Sequence, residues 1–310
     1  MGFERFVDHL AHEKRASPLT VEAYTRDLRQ FVGFLEANTG VSDLDKASGK
    51  EVRRWVMTLM ENDVGARSVN RKLSALRAYY RFARVIGTVE VDPTAMVDPP
   101  KTPKRLPEYV DMPRMAALFE QVEWPAGAEG ERDKLILEML YGTGIRLAEI
   151  LGVRPLDLDL QRGTMRVLGK RNKERILPLS NTLVDQIRCY LSVREAPMSG
   201  IAGEAPLLLD GRGEPLTRRR VQRLVQHYLG TVTTQRKRSP HVLRHTFATH
   251  LLEQGADLNA VKELLGHAGL AATQVYTHNT VEKLRKAHQQ AHPRGGGPSK
   301  ERPTNEKQEP

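Results

Sequence analysis

A stretch dense in proline, residues 89–107, divides the chain into two parts. Prolines stand at positions 93, 99, 100, 103 and 107, and the basic residues between them are Lys101, Lys104 and Arg105. Each proline lacks a backbone donor and restricts the residue before it, so this stretch suits an extended linker. We therefore predict a helical domain over residues 1–88, a basic linker over 89–107, a second domain over 108–292 and a disordered Gly/Pro-rich tail over 293–310.

The charge of the chain is strongly basic. Its 310 residues include 48 Lys and Arg against 38 Asp and Glu, which gives a net charge of +10 and a pI near 9.7. This balance points to nucleic acid or another polyanion, although a solvated basic surface gives the same totals. Residues 1–100 are nearly neutral, so the excess of positive charge lies beyond them.

Cysteine usage and the N-terminal sequence indicate the cellular compartment in which the protein is expected. Cys189 is the single cysteine, which excludes an intrachain disulfide and fits a reducing environment. The first fifteen residues are charged and amphipathic and lack the apolar core of a signal peptide, and no apolar run has membrane-spanning length. We expect a soluble, cytoplasmic protein.

The helix predicted over Ser68–Val85 carries charge of one sign. Its apolar face is formed by Val69, Leu73, Leu76, Tyr80 and Ala83. At 100° per residue, the other side and its edge carry Arg67, Arg71, Arg77, Arg81 and Arg84. No acidic residue occurs from Val64 to Val89. Solvated helix faces usually mix signs, so we interpret these arginines as contacts to a phosphate backbone, with a solvated face as the alternative.

In the second domain, helical periodicity breaks at Gly142-Thr143-Gly144. Arg146 then begins a new helix, and Glu149 follows three residues later. Residues at this spacing share a helix face, so Glu149 can pair with Arg146 and fix its guanidinium group. The alternative is an ordinary surface pair that contributes little.

Residues 158–180 change to the pattern of short strands. Gly163 marks one turn and the sequence GKRNKE marks another, so we predict a small antiparallel sheet. The second turn carries Lys170, Arg171 and Lys173. A lysine at such a tip can reach into a groove, and a solvated turn is the alternative.

Residues 239–276 combine side chains suited to phosphoryl transfer. Ser239 and Pro240 predict a helix start, which places His241 and Arg244 on one face near the positive end of the helix dipole. His267 and Tyr276 follow farther along. Together these residues suggest phosphoryl transfer with Tyr276 as nucleophile, although each one alone is equally well explained by packing or exposure.

Four stretches resemble signatures of the tyrosine recombinase, or phage integrase, family: YGTGIRLAEILGV, VLGKRNKERILPL, SPHVLRHTFATHLLEQGADL and LLGHAGLAATQVYTH. The resemblance extends from about residue 3 to residue 292. Within the family it is greatest to bacterial Xer recombinases, and slightly greater to the XerC type than to the XerD type. It implies a mainly α fold with a small antiparallel β-sheet, in which an N-terminal helical domain and a C-terminal catalytic domain form a clamp around DNA.

By this resemblance six residues match the catalytic set of the family: Arg146, Lys170, His241, Arg244, His267 and the nucleophile Tyr276. The arginines and His267 would stabilise a pentavalent transition state, His241 would act as base, and Lys170 would protonate the leaving 5′-oxygen. Arg171 departs from the glycine common in Xer recombinases, which leaves open whether Lys170 or Lys173 reaches the scissile phosphate. No metal or other cofactor is implied.

The resemblance implies a site-specific recombinase that forms a 3′-phosphotyrosyl intermediate and a Holliday junction, and that resolves chromosome dimers at cell division. Its implied partners are duplex DNA carrying a recombination site, a XerD-like recombinase in a heterotetrameric synapse, and a septal DNA translocase. Three alternatives are a mobile-element integrase of the same family, a type IB topoisomerase and a non-enzymatic DNA-binding protein.

Overall fold

The computed structural model describes residues 3–102, 108–169, 174–194 and 203–266. The chain divides into two compact units, Met1–Arg105 and Leu106–Pro310, and each has its own hydrophobic core. The fold is mainly helical with one small antiparallel sheet, which confirms the predicted class. Residues 103–107 of the expected linker and the expected tail lie outside the described residues. Within the described part of the chain, no helix is both long enough and apolar enough to cross a bilayer.

The first unit is a bundle of helices. Its elements are α1 (Glu4–Asp8), a π-helical turn (His9–Glu13), α2 (Pro18–Thr39), a 3-10 turn (Leu44–Lys46), α3 (Gly49–Glu61) and α4 (Ala66–Val85). Helix α2 begins where Ser17 accepts a hydrogen bond from the backbone N–H of Thr20 at 3.2 Å. The apolar faces of the helices meet in a core where Phe31, Trp55 and Tyr80 are almost fully buried.

Residues 89–102 pack on this first unit. The side chain of Val97 is buried in its core, and the Val97 carbonyl accepts a hydrogen bond from Nη2 of Arg77 at 2.8 Å. The Pro100 carbonyl likewise accepts from Nδ2 of Asn70 at 3.0 Å. The prolines therefore mark a non-helical backbone, as expected, but one that remains attached to the helices up to residue 102.

The second unit is organised around a buried helix. Its helices are α5 (Met112–Glu120), α6 (Ala128–Thr143), α7 (Leu147–Ile150), α8 (Asn181–Val193), α9 (Arg218–Val232), α10 (Pro240–Glu253) and α11 (Leu258–Leu265). Helix α6 is buried along most of its length and packs against α8 and α10. Every residue from Leu135 to Thr143 is buried, so this half of α6 is enclosed on all sides and the neighbouring helices pack around it.

The sheet has three antiparallel strands in the order β1 (Leu158–Asp159), β2 (Thr164–Leu168) and β3 (Glu174–Pro178), with a 3-10 turn (Pro155–Asp157) before β1. In its register Met165 lies opposite Leu177, and Val167 lies opposite Arg175. All four side chains are buried. Because alternate residues of a strand share a face, Arg175 occupies a position where an apolar side chain is normally found.

Candidate active site

Gly144 ends α6 with a left-handed backbone (φ +61°). A Cβ atom at this position would lie 2.5 Å from Cδ1 of Phe247 and 3.0 Å from Cδ2 of Leu265, so only glycine fits here. The chain turns at this residue, and Arg146 becomes the N-cap of α7. The turn at the predicted break in helical periodicity therefore places Arg146 next to α10 and α11.

Glu149, in the first turn of α7, accepts four hydrogen bonds from two arginines. Its Oε1 accepts from Nη1 of Arg146 at 2.8 Å and from Nη1 of Arg175 at 2.9 Å. Its Oε2 accepts from the backbone N–H of Arg146 at 2.9 Å and from Nη2 of Arg175 at 2.8 Å. Burial raises the pKa of Glu149, but the hydrogen bonds and charge of Arg175, with the hydrogen bonds from Arg146, outweigh it and lower this pKa to about 2. The carboxylate is therefore ionised at neutral pH.

Arg244 lies in the second turn of α10, and His241 lies in its first turn. Pro240 is the first residue of the helix and Ser239 is its N-cap, although the Ser239 side chain makes no capping hydrogen bond. Arg244 is half-buried and donates from Nη1 to the Gly144 carbonyl and from Nη2 to the Leu265 carbonyl. Burial and the like charges of Arg146 and Arg175 lower the pKa of Arg244 to about 10, so it keeps its charge at neutral pH.

Three arginines from three elements bind the C-terminal end of α11. Nε of Arg175 donates to the Leu264 carbonyl at 3.2 Å, and Nη2 of Arg146 donates to the Gly266 carbonyl at 2.9 Å. Arg244 binds the carbonyl between these two, that of Leu265. The last carbonyls of a helix lack intrahelical donors and carry the negative end of its dipole, so guanidinium groups complement them well.

These contacts bring Arg146 and Arg244 together in a geometry that suits an anion. Each guanidinium group has five N–H donors, of which the side-chain contacts above use two. The remaining donors can bind the non-bridging oxygens of a phosphate through charge-assisted hydrogen bonds. The His241 side chain is exposed on the same helix as Arg244.

Three residues of the expected catalytic set lie outside the described residues: Lys170, His267 and Tyr276. The neighbouring Arg171 and Lys173 do so as well. In sequence, Lys170 stands two residues after β2, and His267 directly follows the glycine whose carbonyl Arg146 binds. The roles of these residues stay predictions.

The arginines of α4 are not all available for a ligand. Arg67, Arg81 and Arg84 are exposed, and so is Lys101, whereas Lys104 and Arg105 lie outside the described residues. Arg71 forms an ion pair with the buried Asp27, and Arg77 binds the Val97 carbonyl. A helical projection of α4 could not reveal these two contacts, because their partners lie on α2 and beyond residue 89.

Sequence reasoning missed Arg175. It lies within the stretch KERIL, and only the alternation of strand β3 could have indicated that its side chain turns inward beside Leu177. Its partner Glu149 lies on a different element, so no local spacing connects them.

Residues 111–283 match the Phage integrase family, and residues 3–85 match the N-terminal SAM-like domain of phage integrases. Tyrosine recombinase XerC of Pelobacter propionicus is 41% identical over 94% of this chain and 95% of its own. Tyrosine recombinase XerD of Staphylococcus saprophyticus is 34% identical over 94% of this chain and 98% of its own. The solved structure of XerH bound to a palindromic difH substrate has a TM-score of 0.70 with 21% identity, over 88% of this chain and 80% of that one, and supports the fold. The chain therefore belongs to the phage integrase family and is a site-specific tyrosine recombinase.

Proposed function

We propose that this chain cleaves and rejoins DNA as one member of a pair of Xer recombinases that resolve chromosome dimers at cell division. The observation that carries the proposal is the pair Arg146 and Arg244, held together at the end of α11. Two fixed guanidinium groups suit the non-bridging oxygens of a phosphodiester better than two flexible lysines do. Similarity to both XerC and XerD over nearly the whole chain supports the finer assignment.

In the proposed reaction, the Tyr276 hydroxyl attacks the scissile phosphorus and the bond to the 5′-oxygen breaks. A 3′-phosphotyrosyl link and a free 5′-hydroxyl result, and a 5′-hydroxyl from a second duplex reverses the step. His241 accepts the tyrosine proton and Lys170 protonates the leaving oxygen. Arg146, Arg244 and His267 stabilise the charge on the non-bridging oxygens. Because one phosphodiester replaces another, the exchange needs no external source of energy.

The first unit would bind the DNA backbone. Arg67, Arg81 and Arg84 are exposed along α4, and Lys101 follows in the stretch that packs on this unit. Such contacts position a protein on a duplex without reading its sequence. Arg71 and Arg77 would support this surface from within through Asp27 and Val97.

The proposed assembly contains two duplexes and two kinds of Xer subunit in a heterotetramer. Strand exchange by one kind gives a Holliday junction, and exchange by the other resolves it. A septal DNA translocase would deliver the two sites to each other at division.

A covalent trap tests the reaction. Nicked duplexes carrying candidate chromosomal sites are incubated with the wild-type chain, with Tyr276→Phe and with Tyr109→Phe as an exposed-tyrosine control. We expect a protein–DNA adduct from the wild type and the control, and binding without an adduct from Tyr276→Phe. An adduct formed by Tyr276→Phe would refute the assigned nucleophile.

Supercoiled plasmids that carry the same sites separate the alternative activities. Recombinant products from paired sites, formed when a XerD-type partner is added, support the proposed pair. Supercoil relaxation without exchange would indicate a topoisomerase, and binding without any cleavage by the wild type would indicate an architectural protein.

A further inference from the structure

Arg175 lies in the candidate active site and is almost fully buried. Its side chain is 5% exposed, and it is the second residue of β3. All three of its side-chain nitrogen atoms donate: Nη1 and Nη2 to Glu149, and Nε to the Leu264 carbonyl. A buried guanidinium group requires such partners, because an unpaired charge in the interior is strongly destabilising.

Arg175 shares the Glu149 carboxylate with Arg146. If Arg146 were the sole partner of Glu149, the carboxylate would neutralise the charge of Arg146 and draw the Arg146 guanidinium group towards itself. With Arg175 present, one negative charge is divided between two guanidinium groups. Together with Arg244, the cluster keeps an excess of positive charge where a phosphate can bind.

Arg175 also supports the second contact of Arg146. The Gly266 carbonyl accepts from Nη2 of Arg146, and the Arg175 side chain lies next to the open side of the Gly266 Cα atom. A Cβ atom at Gly266 would lie 3.2 Å from Cδ, 3.3 Å from Nε and 3.4 Å from Cζ of Arg175. Arg175 therefore binds one partner of the Arg146 side chain, the Glu149 carboxylate, and lies beside Gly266, the residue that carries the other partner.

We propose that Arg175 is a positioning residue for strand cleavage. It acts through Glu149 and the end of α11 to hold Arg146 on the scissile phosphate, and its charge offsets that of Glu149 as negative charge develops in the transition state. This inference rests on the proposed function. A purely structural ion pair would affect folding alone, whereas a positioning role makes the effect of Arg175 depend on the charge of the phosphate.

Single-turnover cleavage by the full-length chain tests this role on two nicked substrates. One carries the ordinary scissile phosphate, and the other carries a methylphosphonate, which lacks one negative charge. The variants are Arg175→Met, the double variant Arg175→Met with Glu149→Gln, and the control Arg166→Met. Arg166 is a half-exposed arginine on the neighbouring strand that pairs with Asp157.

We expect Arg175→Met to cleave the phosphate substrate about 100-fold more slowly, because a small displacement of a reacting group has an effect of this order. The dissociation constant for DNA should change little, since Arg175 is buried. On the methylphosphonate substrate, Arg175→Met should lose much less of the wild-type cleavage rate. The double variant removes one charge of each sign, so it should cleave the phosphate faster than Arg175→Met does. Arg166→Met should match the wild type on both substrates.

Equal losses on the two substrates, or wild-type cleavage by Arg175→Met, would overturn the inference. If Arg175→Met does not fold, Arg175→Gln takes its place, because it also removes the charge while its amide can still donate to Glu149; a loss equal on both substrates again overturns the inference. Absence of any wild-type adduct on the phosphate substrate would instead refute the proposed function.

Discussion

The hydroxyl oxygen of Tyr141 lies 2.9 Å from Nδ1 of His250, and both side chains are buried in the core of the second unit. Nε2 of His250 is buried without a hydrogen-bond partner among the described residues. Burial disfavours the imidazolium form and lowers the pKa of His250 below its usual 6.5. The core therefore holds a neutral histidine.

This histidine predicts a loss of stability in mild acid. Between the usual and the lowered pKa, the unfolded chain binds a proton that the folded chain does not, so the free energy of unfolding falls as pH decreases through this window. Melting temperatures measured from about pH 8 to pH 5 should show a shallower decline for His250→Gln than for the wild type. The exposed His227→Gln serves as control and should keep the wild-type slope; identical slopes for all three would contradict the prediction.

Gly144→Ala should destabilise the second unit by roughly 2–5 kcal/mol, because a left-handed alanine and a clash with Phe247 act together. Gly142→Ala is a matched control two residues earlier, inside α6, where a Cβ atom would lie at an ordinary 3.8 Å from Leu183. It should stabilise the helix by roughly 0.5–1 kcal/mol. Urea unfolding measures the free energy of unfolding of both variants. Similar changes for the two would argue against a strained turn at Gly144.

Asp27→Asn should destabilise the first unit by roughly 3–5 kcal/mol, because it leaves the charge of a buried lysine without its partner. Asp27 is 0% exposed, and Nζ of Lys72 lies 3.1 Å from its Oδ1. Asp43→Asn, which removes an exposed ion pair with Lys46, should change the free energy of unfolding by less than about 1 kcal/mol. Thermal unfolding that ranks the two variants equally would contradict the prediction.

Replacing Arg81 and Arg84 together with glutamine should weaken DNA binding and its dependence on salt. Each phosphate contact contributes about 0.9 to the slope of log K against log salt concentration, so a decrease of about 1–2 is expected. Arg114→Gln, at an exposed arginine of α5, should leave the slope unchanged. Binding titrations at several salt concentrations measure this, and an unaltered slope for the double variant would exclude both arginines as phosphate contacts.

Local features of the sequence predicted the start of α10 and the pairing of Arg146 with Glu149. Ser239 with Pro240 marks an observed helix start, because a proline in the first turn acts through its own backbone. The spacing of Arg146 and Glu149 likewise places them in contact, as helical geometry requires.

Contacts between distant elements could not be predicted in this way. Arg175 binds Glu149, Arg71 binds Asp27, and Arg244 binds the Leu265 carbonyl, each across separate helices or strands. Periodicity shows which side of an element turns inward but not which residue it meets there. For that reason periodicity predicts the arginines of α4 as one surface, although two of them support the unit from within.

The anchorage of α11 depends on main-chain oxygen atoms, those of Leu264, Leu265 and Gly266. No side-chain replacement removes a backbone carbonyl, so substitutions in α11 leave the acceptors of the three arginines in place. Insertion or deletion of one residue within α11 would instead rotate every later carbonyl by about 100°. The alignment of Arg146 with Arg244 therefore depends more on the number of residues in α11 than on their identity.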